Sequence, residues 1–281
     1  MYFDKLGLGT VKFGQPYGIS SNRDQVSRRS ATAILARAAE AGVSVLDTAA
    51  NYGEAEAVLS TLDTRPFRIV TKTIRASNGV ESVVAKARAS KAALPRADTL
   101  LVHAAADLTD TALWSALQGL KDEGIFGKIG ISAYVADAPA MLAARFRPDV
   151  MQVPFSLVDQ RLLKDGTLER LVDLGVEIHA RSLFLQGLLL MALPPNHLKQ
   201  AAPHLDALRA HLAEAGTTPL AAALGFVLSR PEVSIGLVGV GSRHELDEIL
   251  MSLTTPPPDL PWESFALEDP HLLTPSLWGQ P

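Results

Sequence analysis

The chain has 281 residues, of which 47% are hydrophobic and 20% charged, and its formal net charge is −4. Because no stretch concentrates Lys and Arg on one face, this mildly acidic composition argues against nucleic acid or an anionic membrane as the main partner. The absence of cysteine excludes disulfides and thiolate metal sites, and no histidine spacing suggests another kind of metal site. The even composition predicts one domain over residues 1–281.

The N-terminal segment MYFDKLGLGT has neither a basic start nor an apolar core, so it does not predict a secretory signal. The longest apolar segment, residues 183–193, is interrupted by Gln186 and Gly187. It has about half of the roughly 20 residues that a membrane span needs. These features predict a cytoplasmic protein.

Strand-like and helical patterns alternate along the chain. Residues 6–11 predict a first strand, followed by a loop with Gly and Pro (residues 12–21) and by a helix that ends at Gly42. Seven further strands are predicted at residues 43–47, 67–72, 99–103, 128–132, 149–153, 176–180 and 234–240. Helices are predicted between these strands at residues 54–62, 79–94, 110–124, 138–146 and 162–175. A long insertion at 181–203 then precedes helices at 204–215 and 219–229, and a last helix at 243–253 follows the eighth strand. Eight strands separated by helices predict an α/β fold of the (β/α)8 TIM-barrel type.

The alternative fold is an open, doubly wound sheet, which would carry a glycine-rich dinucleotide turn after its first strand. Here GLGTVKFG continues into GQPYGISS and does not open a helix, so the motif fails this requirement and the barrel is favoured. The proline-rich tail is predicted to form a C-terminal arm over the active-site face, with Leu273 and Trp278 as apolar anchors.

Three predicted strands deliver a polar side chain at the end of an apolar run. VSVLD ends in Asp47, FRIVTK in Lys72 and TLLVH in His103, and the loop after Asp47 brings Tyr52. Because the carboxyl ends of the strands meet at one face of a barrel, where chemistry is done, we expect these four side chains to share a cleft.

These residue types suit proton transfer to a carbonyl. A phenol has a pKa of about 10, and a neighbouring ammonium lowers that value. Lys72 can supply the ammonium to Tyr52, Asp47 can keep Lys72 charged, and His103 can orient a substrate oxygen. No protein side chain donates hydride, so a nicotinamide or flavin is required.

The chain resembles the aldo-keto reductases over nearly its whole length. The matching stretches are LGLGTVKFG, LDTAANYGEAE, TK, LLVH, GKIGIS, QVPFSLVDQR, RSLFLQGLL, LVGVGS and ALEDPHLLTPSLW. The resemblance implies an NAD(P)H-dependent carbonyl reductase with Tyr52 as general acid, Lys72 and Asp47 as its tuning pair, and His103 positioning the carbonyl. Because His103 and not a glutamate is the fourth member, the resemblance favours reduction of carbonyls over carbon-carbon double bonds.

The resemblance also implies a cofactor site, with two departures from the family pattern. Ala133 stands where an asparagine usually follows the serine, and Arg181 takes the place of the aromatic residue that stacks on the nicotinamide. A guanidinium plane can also stack on a ring. The alternative for Arg181 is a salt bridge on the barrel rim. The implied cofactor residues are Gly9, Thr10, Val11, Ser132, Gln152, Arg181, Ser182, Gly239, Gly241, Ser242 and Arg243.

The turn after the last strand predicts an anion site. Ser242 with Glu245 forms a capping-box pattern, and backbone N–H groups at such a helix start bind phosphate. Arg243 is the candidate for a 2′-phosphate, although by resemblance Gly241 replaces a common basic residue and Ile249 a common asparagine. We expect NADPH, with NADH possible.

The predicted substrate pocket suits a small polar or sugar-like carbonyl. Its residues are Gln15, Pro16, Tyr17, Phe155, Gln160, Arg161 and Phe184, together with the C-terminal arm. Glu54 and Glu56 are expected to be solvated carboxylates of a first helical turn. Two other functions stay open: a nicotinamide-binding sensor or regulatory subunit, and a lyase that forms a Schiff base through Lys72.

Overall fold

The computed structural model describes residues 2–19 and 24–278 and contains a closed barrel of eight parallel strands, in which β8 pairs with β1. The strands are β1 (Leu6–Gly9), β2 (Val45–Asp47), β3 (Arg68–Lys72), β4 (Ala97–Val102), β5 (Lys128–Ser132), β6 (Val150–Pro154), β7 (Glu177–Arg181) and β8 (Ile235–Gly239). The predicted (β/α)8 barrel is confirmed. The open sheet is excluded because closure leaves no edge strand.

Helices lie between the strands and after the last one. In the described residues they are α1 (Val11–Gly14), α2 (Arg28–Glu40), α3 (Ala55–Leu59), α4 (Val80–Ala93), α5 (Ala112–Asp122), α6 (Pro139–Phe146), α7 (Arg161–Lys164), α8 (Thr167–Asp173), α9 (Ala202–Glu214), α10 (Pro219–Leu228), α11 (Arg243–Ser252) and α12 (Pro270–Leu273). None of them is long and apolar enough to cross a membrane.

Two element predictions need correction. Val11 begins the short helix α1 and is not the end of the first strand. The helix predicted over 162–175 is split into α7 and α8, because Gly166 between them has a φ of 72°, which interrupts the helical backbone. Residues 20–21 of the predicted loop and residues 279–281 of the arm lie outside the described residues.

The two-residue period of the strands explains where the polar side chains go. Six aliphatic side chains fill the middle of the barrel: Val45, Val70, Leu101, Val150, Ile235 and Leu237. Because side chains alternate between the two faces of a strand, the residues two positions further on also point inward, one layer closer to the carboxyl end. This layer contains Asp47, Lys72, His103, Gln152 and Gly239.

An ionic cluster lies at the opposite, amino-terminal end of the barrel. Glu177 accepts from Arg68 Nη2 at 2.5 Å, lies 2.7 Å from His179 Nε2 and also binds the Lys128 ammonium. Burial alone would raise the pKa of Glu177, but hydrogen bonds with His179, Arg68 and Lys128 hold it well below the ordinary value. The cluster therefore keeps a carboxylate ionised at the closed end of the barrel.

The C-terminal arm, residues 254–278 of the described chain, runs along the outside of the barrel beside α10. The Trp262 ring packs 5.6 Å from that of Phe226, and the Leu267 N–H donates to the Val158 carbonyl at the carboxyl end of the barrel. Leu273 and Trp278 are both buried, as predicted. The arm thus reaches the predicted face, but none of its described residues lines the cleft found there.

Candidate active site

An ion pair at the carboxyl end of the barrel forms the base of the candidate site. Lys72, with 1% of its side chain exposed, donates to both carboxylate oxygens of Asp47 at 2.7 Å and to the Thr48 carbonyl at 2.9 Å. Burial alone would lower the pKa of Lys72, but the charge of Asp47, the neighbouring Tyr52 and the hydrogen bonds to both together outweigh burial and raise it. The lysine is therefore a fixed ammonium.

Tyr52 lies directly above this ammonium. Lys72 Nζ is 3.4 Å from the Tyr52 hydroxyl and 4.9 Å from the centre of its ring. The Tyr52 loop sits tightly against α1, because a Cβ on Gly14 would overlap the Tyr52 carbonyl and a Cβ on Gly53 would overlap the Gly14 carbonyl. Gly53 also has a φ of 53°, so glycine is required there on both counts. These close approaches fix the phenol over Lys72.

His103 faces the same point from β4. Its ring meets the Tyr52 ring edge-on, with centroids 5.7 Å apart, and its backbone N–H donates to Thr73 Oγ1 at 3.2 Å. Burial, followed by the positive charge of Lys72, lowers the pKa of His103 to about 4. At neutral pH the imidazole is therefore uncharged and can donate one hydrogen bond to a substrate oxygen.

A cleft of about 630 Å³ contains all four predicted catalytic residues and runs from them towards β8. Such a volume is typical of sites for small molecules and cofactors. The predicted cofactor residues that line it are Gly9, Val11, Ser132, Gln152, Arg181, Ser182 and Gly239. Four others do not: Thr10, Gly241, Ser242 and Arg243. The structure therefore brings together most of the predicted site and separates it from the turn before α11.

Thr10 and Gln152 serve the ion pair. Thr10 is fully buried, and its hydroxyl donates to the Asp47 carbonyl at 3.0 Å, so its predicted place beside the cofactor is corrected. Gln152 Nε2 donates to Asp47 Oδ1 at 2.7 Å. That bond uses one of the two N–H groups of the amide, so Gln152 keeps the other N–H and its carbonyl oxygen for a ligand.

Arg181 holds its guanidinium inside the cleft. It donates to the Ala133 carbonyl at 3.2 Å and lies 4.3 Å from the centre of the Tyr134 ring. No carboxylate of the described ranges lies within ion-pair distance of it, so the rim salt bridge is not formed. Arg181 and Tyr134 together form a flat, cationic wall.

The start of α11 is occupied by the chain's own side chains. Ser242 Oγ accepts from the Glu245 N–H at 3.1 Å, which confirms the predicted N-cap. The Glu245 carboxylate accepts from the Gly241 N–H at 2.7 Å. Arg243 is 58% exposed and lies 3.6 Å from Asp247. The predicted phosphate ligand therefore points away from the cleft.

The substrate side of the cleft agrees with the prediction in part. Tyr17 and Phe184 line it. Burial, followed by Tyr52, raises the pKa of Tyr17 to about 12, so its phenol stays protonated at neutral pH. Phe155 is 0% exposed and packs 5.3 Å from Phe226, so its predicted contact with substrate is wrong. Phe155 directly follows β6, and its ring points towards α10 and is therefore buried in the apolar core.

Two further predicted pocket residues have structural contacts instead. Gln160 donates to the carbonyls of Leu157 and Trp262, and Arg161 pairs with Asp159 at 2.7 Å. These bonds tie the loop after β6 to the C-terminal arm and leave neither side chain in the cleft lining.

Several cleft residues were missed from the sequence. They include Lys12, Tyr134, Gln186, Leu220, Glu245 and Glu248. The spacing of Glu245 and Glu248 by three positions places both on one helical face, and this signal was present in the sequence. Lys12 gave no such signal, because α1 was not predicted.

The segment after β7 is strained where it borders the cleft. Ser182, Leu185 and Gln186 have φ values of 64°, 46° and 54°, which non-glycine residues rarely adopt. Such strain clusters at ligand sites, where surrounding structure holds it in place. The described residues contain no group of acidic or histidine side chains able to hold a metal ion.

A family model described as the Aldo/keto reductase family matches residues 5–263. Two relatives, from Mycobacterium tuberculosis and Mycobacterium bovis, are named only as uncharacterised oxidoreductases. Each is 28% identical to this chain over 270 residues, which covers 86% of the chain and 82% of the relative.

Two solved structures share the fold. An aldo-keto reductase from Bacillus halodurans in its holo form gives a TM-score of 0.74 at 19% identity and covers 91% of this chain and 88% of that one. A putative aldo-keto reductase from Pseudomonas aeruginosa gives a TM-score of 0.64 at 22% identity and covers 88% of both.

Proposed function

The chain belongs to the aldo/keto reductase family, and on that premise we propose that it reduces an aldehyde or ketone to an alcohol with NAD(P)H, with Tyr52 as general acid. The observation that carries the proposal is the contact of one buried ammonium, Lys72, with both the Asp47 carboxylate and the Tyr52 hydroxyl inside the cleft. A fixed positive charge beside a phenol stabilises the phenolate that forms when the proton leaves.

The cleft residues fit a dinucleotide. Gly9 and Gly239 line the cleft, and a Cβ built on Gly239 would meet no atom within 4 Å, so the backbone of β8 faces open space there. A nicotinamide would supply the hydride for the substrate carbon. Ser132, Gln152 and Ser182 are the polar groups in the lining that would hold it next to the catalytic tetrad, Asp47, Tyr52, Lys72 and His103.

The chain's own part in the reaction is proton transfer and orientation. His103, uncharged at neutral pH, donates a hydrogen bond that positions the carbonyl oxygen. Tyr52 then gives its proton to that oxygen as hydride reaches the carbon, and the phenolate that is left takes a proton from solvent. Lys72 remains an ammonium throughout, because Asp47 and the Thr48 carbonyl hold it in place.

The substrate is proposed to be a small polar, sugar-like carbonyl compound. Tyr17, Tyr134, Arg181 and Gln186 place hydrogen-bonding groups around the outer cleft. Turnover of sugar aldehydes and aromatic aldehydes of similar size compares the two classes directly. Equal rates on both would remove the support for a sugar-like substrate.

The alternatives differ in what supports them. A Schiff-base lyase needs an uncharged, accessible lysine, whereas Lys72 is buried and its pKa is raised by Asp47. A nicotinamide sensor would keep the cleft but have little turnover. The cytoplasmic location and the single domain over residues 1–281 stay predictions.

Replacement of Tyr52 by Phe tests the proposal. We expect the wild type to oxidise reduced cofactor in the presence of aldehydes and Tyr52→Phe to be slower by roughly 100- to 10,000-fold, the usual contribution of a general acid. Cofactor affinity should not change, because the ring remains. Tyr2→Phe, which removes a phenol far from the cleft, is the matched control. Cofactor binding without turnover by the wild type would favour the sensor.

A further inference from the structure

We propose that the end of the cleft next to α11 selects NADH over NADPH. Glu245 is the residue that repels the 2′-phosphate and accepts a hydrogen bond from a ribose hydroxyl. This inference rests on the proposed function, since it concerns the cofactor of the same site. It reverses the preference expected from the sequence, where Arg243 was the candidate phosphate ligand.

The first observation is that the start of α11 already holds a carboxylate. Glu245 lines the cleft, and its Oε2 accepts from the Gly241 N–H at 2.7 Å. A phosphate bound at this helix start would need that N–H group. It would have to displace Glu245 or lie against it, and both carry negative charge.

The second observation is the position of the nearby cations. Arg243 is 58% exposed, is absent from the cleft lining and lies 3.6 Å from Asp247. Asp247 is in turn held by Arg37 at 2.5 Å. The guanidinium thus belongs to a surface network on the far side of α11 and α2.

The remaining charges at this end of the cleft sum to a net negative value. Glu248 also lines the cleft, with His244 Nε2 3.7 Å from its carboxylate. Lys12 lines the cleft on the same side, with its Nζ 3.3 Å from where a Cβ on Gly241 would lie. One lysine beside two carboxylates leaves no net positive charge at this end of the cleft to neutralise a 2′-phosphate.

The two cofactors differ at one position, the 2′ carbon of the adenosine ribose, which carries a hydroxyl in NADH and a phosphate in NADPH. A carboxylate accepts hydrogen bonds from ribose hydroxyls, which is how dinucleotide sites of another fold recognise the NAD ribose, whereas an arginine accommodates the 2′-phosphate of NADP. A 2′-phosphate carries a charge of about −1.5 to −2 at neutral pH if it behaves like other phosphate monoesters. Beside Glu245 and Glu248 it would be repelled, while a hydroxyl would not.

Calorimetric titration of the purified protein with ADP-ribose and with 2′-phospho-ADP-ribose measures this selection without turnover. We expect ADP-ribose to bind at least about tenfold more tightly, a difference of about 1.4 kcal/mol. The same order should hold for NADH and NADPH by fluorescence. Equal affinity, tighter binding of the 2′-phospho ligand, or no binding of either would overturn the inference.

Two variants identify the responsible residue. Glu245→Gln keeps the shape and a hydrogen-bond acceptor but removes the charge, and we expect it to reduce the preference for ADP-ribose at least fivefold, a change of about 1 kcal/mol. Glu169→Gln, at an exposed position of α8, makes the same charge change elsewhere and should leave the preference unaltered. Thermal unfolding checks that both variants are folded. If Glu245→Gln has the wild-type preference, Glu245 is not the selector.

A gain-of-function variant keeps the inference testable if Glu245→Gln fails to fold. Gly241→Arg adds a cation beside Glu245, in the position where a basic residue is expected from the resemblance, and should raise affinity for 2′-phospho-ADP-ribose without a matching gain for ADP-ribose. A protein that prefers ADP-ribose but reduces no aldehyde would retain the cofactor inference and lose the proposed reductase function.

Discussion

The barrel has a carboxylate-centred cluster at each end, and the two clusters differ in what lies next to them. At the amino-terminal end, Glu177 binds Arg68, Lys128 and His179, and none of these residues lines the catalytic cleft. At the carboxyl end, Asp47 is held by Lys72 and Gln152 beneath an open cleft. Similar ion pairs thus stabilise the closed end of the barrel and, at the other end, position charged groups beneath the cleft.

One strand supplies both clusters. Arg68 and Lys72 are the first and last residues of β3, four positions apart, which is about 13 Å at roughly 3.3 Å per residue. Between them Val70 belongs to the apolar middle of the barrel. The position of a cation along the strand, and not its residue type, therefore decides whether it stabilises the fold alone or also acts on a ligand.

The largest effect is expected for Lys72→Met. The change leaves Asp47 buried without its counter-ion, which lowers the free energy of unfolding by about 3–5 kcal/mol. Activity should also fall at least about 100-fold, because the phenolate loses its neighbouring charge. Denaturant titration and steady-state kinetics measure the two effects. Lys128→Met, the matched change at the other end, should cost about 1 kcal/mol or less and leave kcat unaltered. Equal activity losses in both variants would contradict the distinction.

The carboxylates provide a second test. Glu177→Gln removes a charge that several cations share and should lower the free energy of unfolding by about 1.5–3 kcal/mol, while kcat and KM stay at the wild-type values. Asp47→Asn should lower kcat by at least about tenfold, since Lys72 is no longer held as a fixed ammonium. Chemical denaturation and kinetics at the same temperature separate these outcomes. A drop in kcat for Glu177→Gln would mean that the closed end also supports catalysis.

Acid titration separates the two ends by pH. The folded His103 has a pKa of about 4 against an ordinary 6.5, so between these values the unfolded chain binds a proton that the folded chain does not. Stability is therefore lost as pH falls from 6.5 to 4, on the order of 1–3 kcal/mol. His103→Gln should remove this loss. Glu177, whose folded pKa is depressed, contributes above about 4.5, its ordinary value, and that contribution is lost at lower pH.

Denaturation of wild type, His103→Gln and Glu177→Gln at pH 7, 5 and 3.5 distinguishes these windows. The histidine variant should differ from wild type in the slope between pH 7 and 5, and the glutamate variant below pH 4.5. Identical pH profiles for all three proteins would show that neither group is responsible for the acid sensitivity.

The smallest expected effect is the coupling between the clusters. They share no side chain, so the losses of unfolding free energy in Asp47→Asn and Glu177→Gln should add in the double variant within about 0.5 kcal/mol. A larger coupling energy would indicate that the strands transmit strain from one end of the barrel to the other.

Much of the fold and of the catalytic centre followed from sequence because local periodicity encodes both. The bounds of β5, Lys128–Ser132, were predicted to the residue. The period of two places Asp47 and Lys72 inside the same barrel end, and their ion pair and the contact of Lys72 with the Tyr52 hydroxyl agree with that expectation. A polar residue at the end of an apolar run is a local signal that needs no knowledge of the partner.

Contacts between distant segments could not be predicted in this way. Glu56, expected in solvent, is buried and accepts from Thr71, Lys86 and Ser90. Its partners lie 15 to 34 positions away, so its own helical turn gave no sign of them. Phe155 was misplaced for a similar reason, since only the packing of α10 decides which side of the β6 loop is buried.

The Asp47–Lys72 pair also limits how descendants of this sequence can diverge. Because loss of either partner leaves the other charge buried, single substitutions at these positions weaken the fold together with the chemistry. A lineage that lost the reductase activity would therefore retain both residues, because the ion pair still stabilises the fold. Tyr52 is under no such constraint, since Lys72 keeps its bonds to Asp47 and Thr48 without the phenol. Among homologues, the residue at position 52 should therefore record the loss of turnover before any other member of the tetrad.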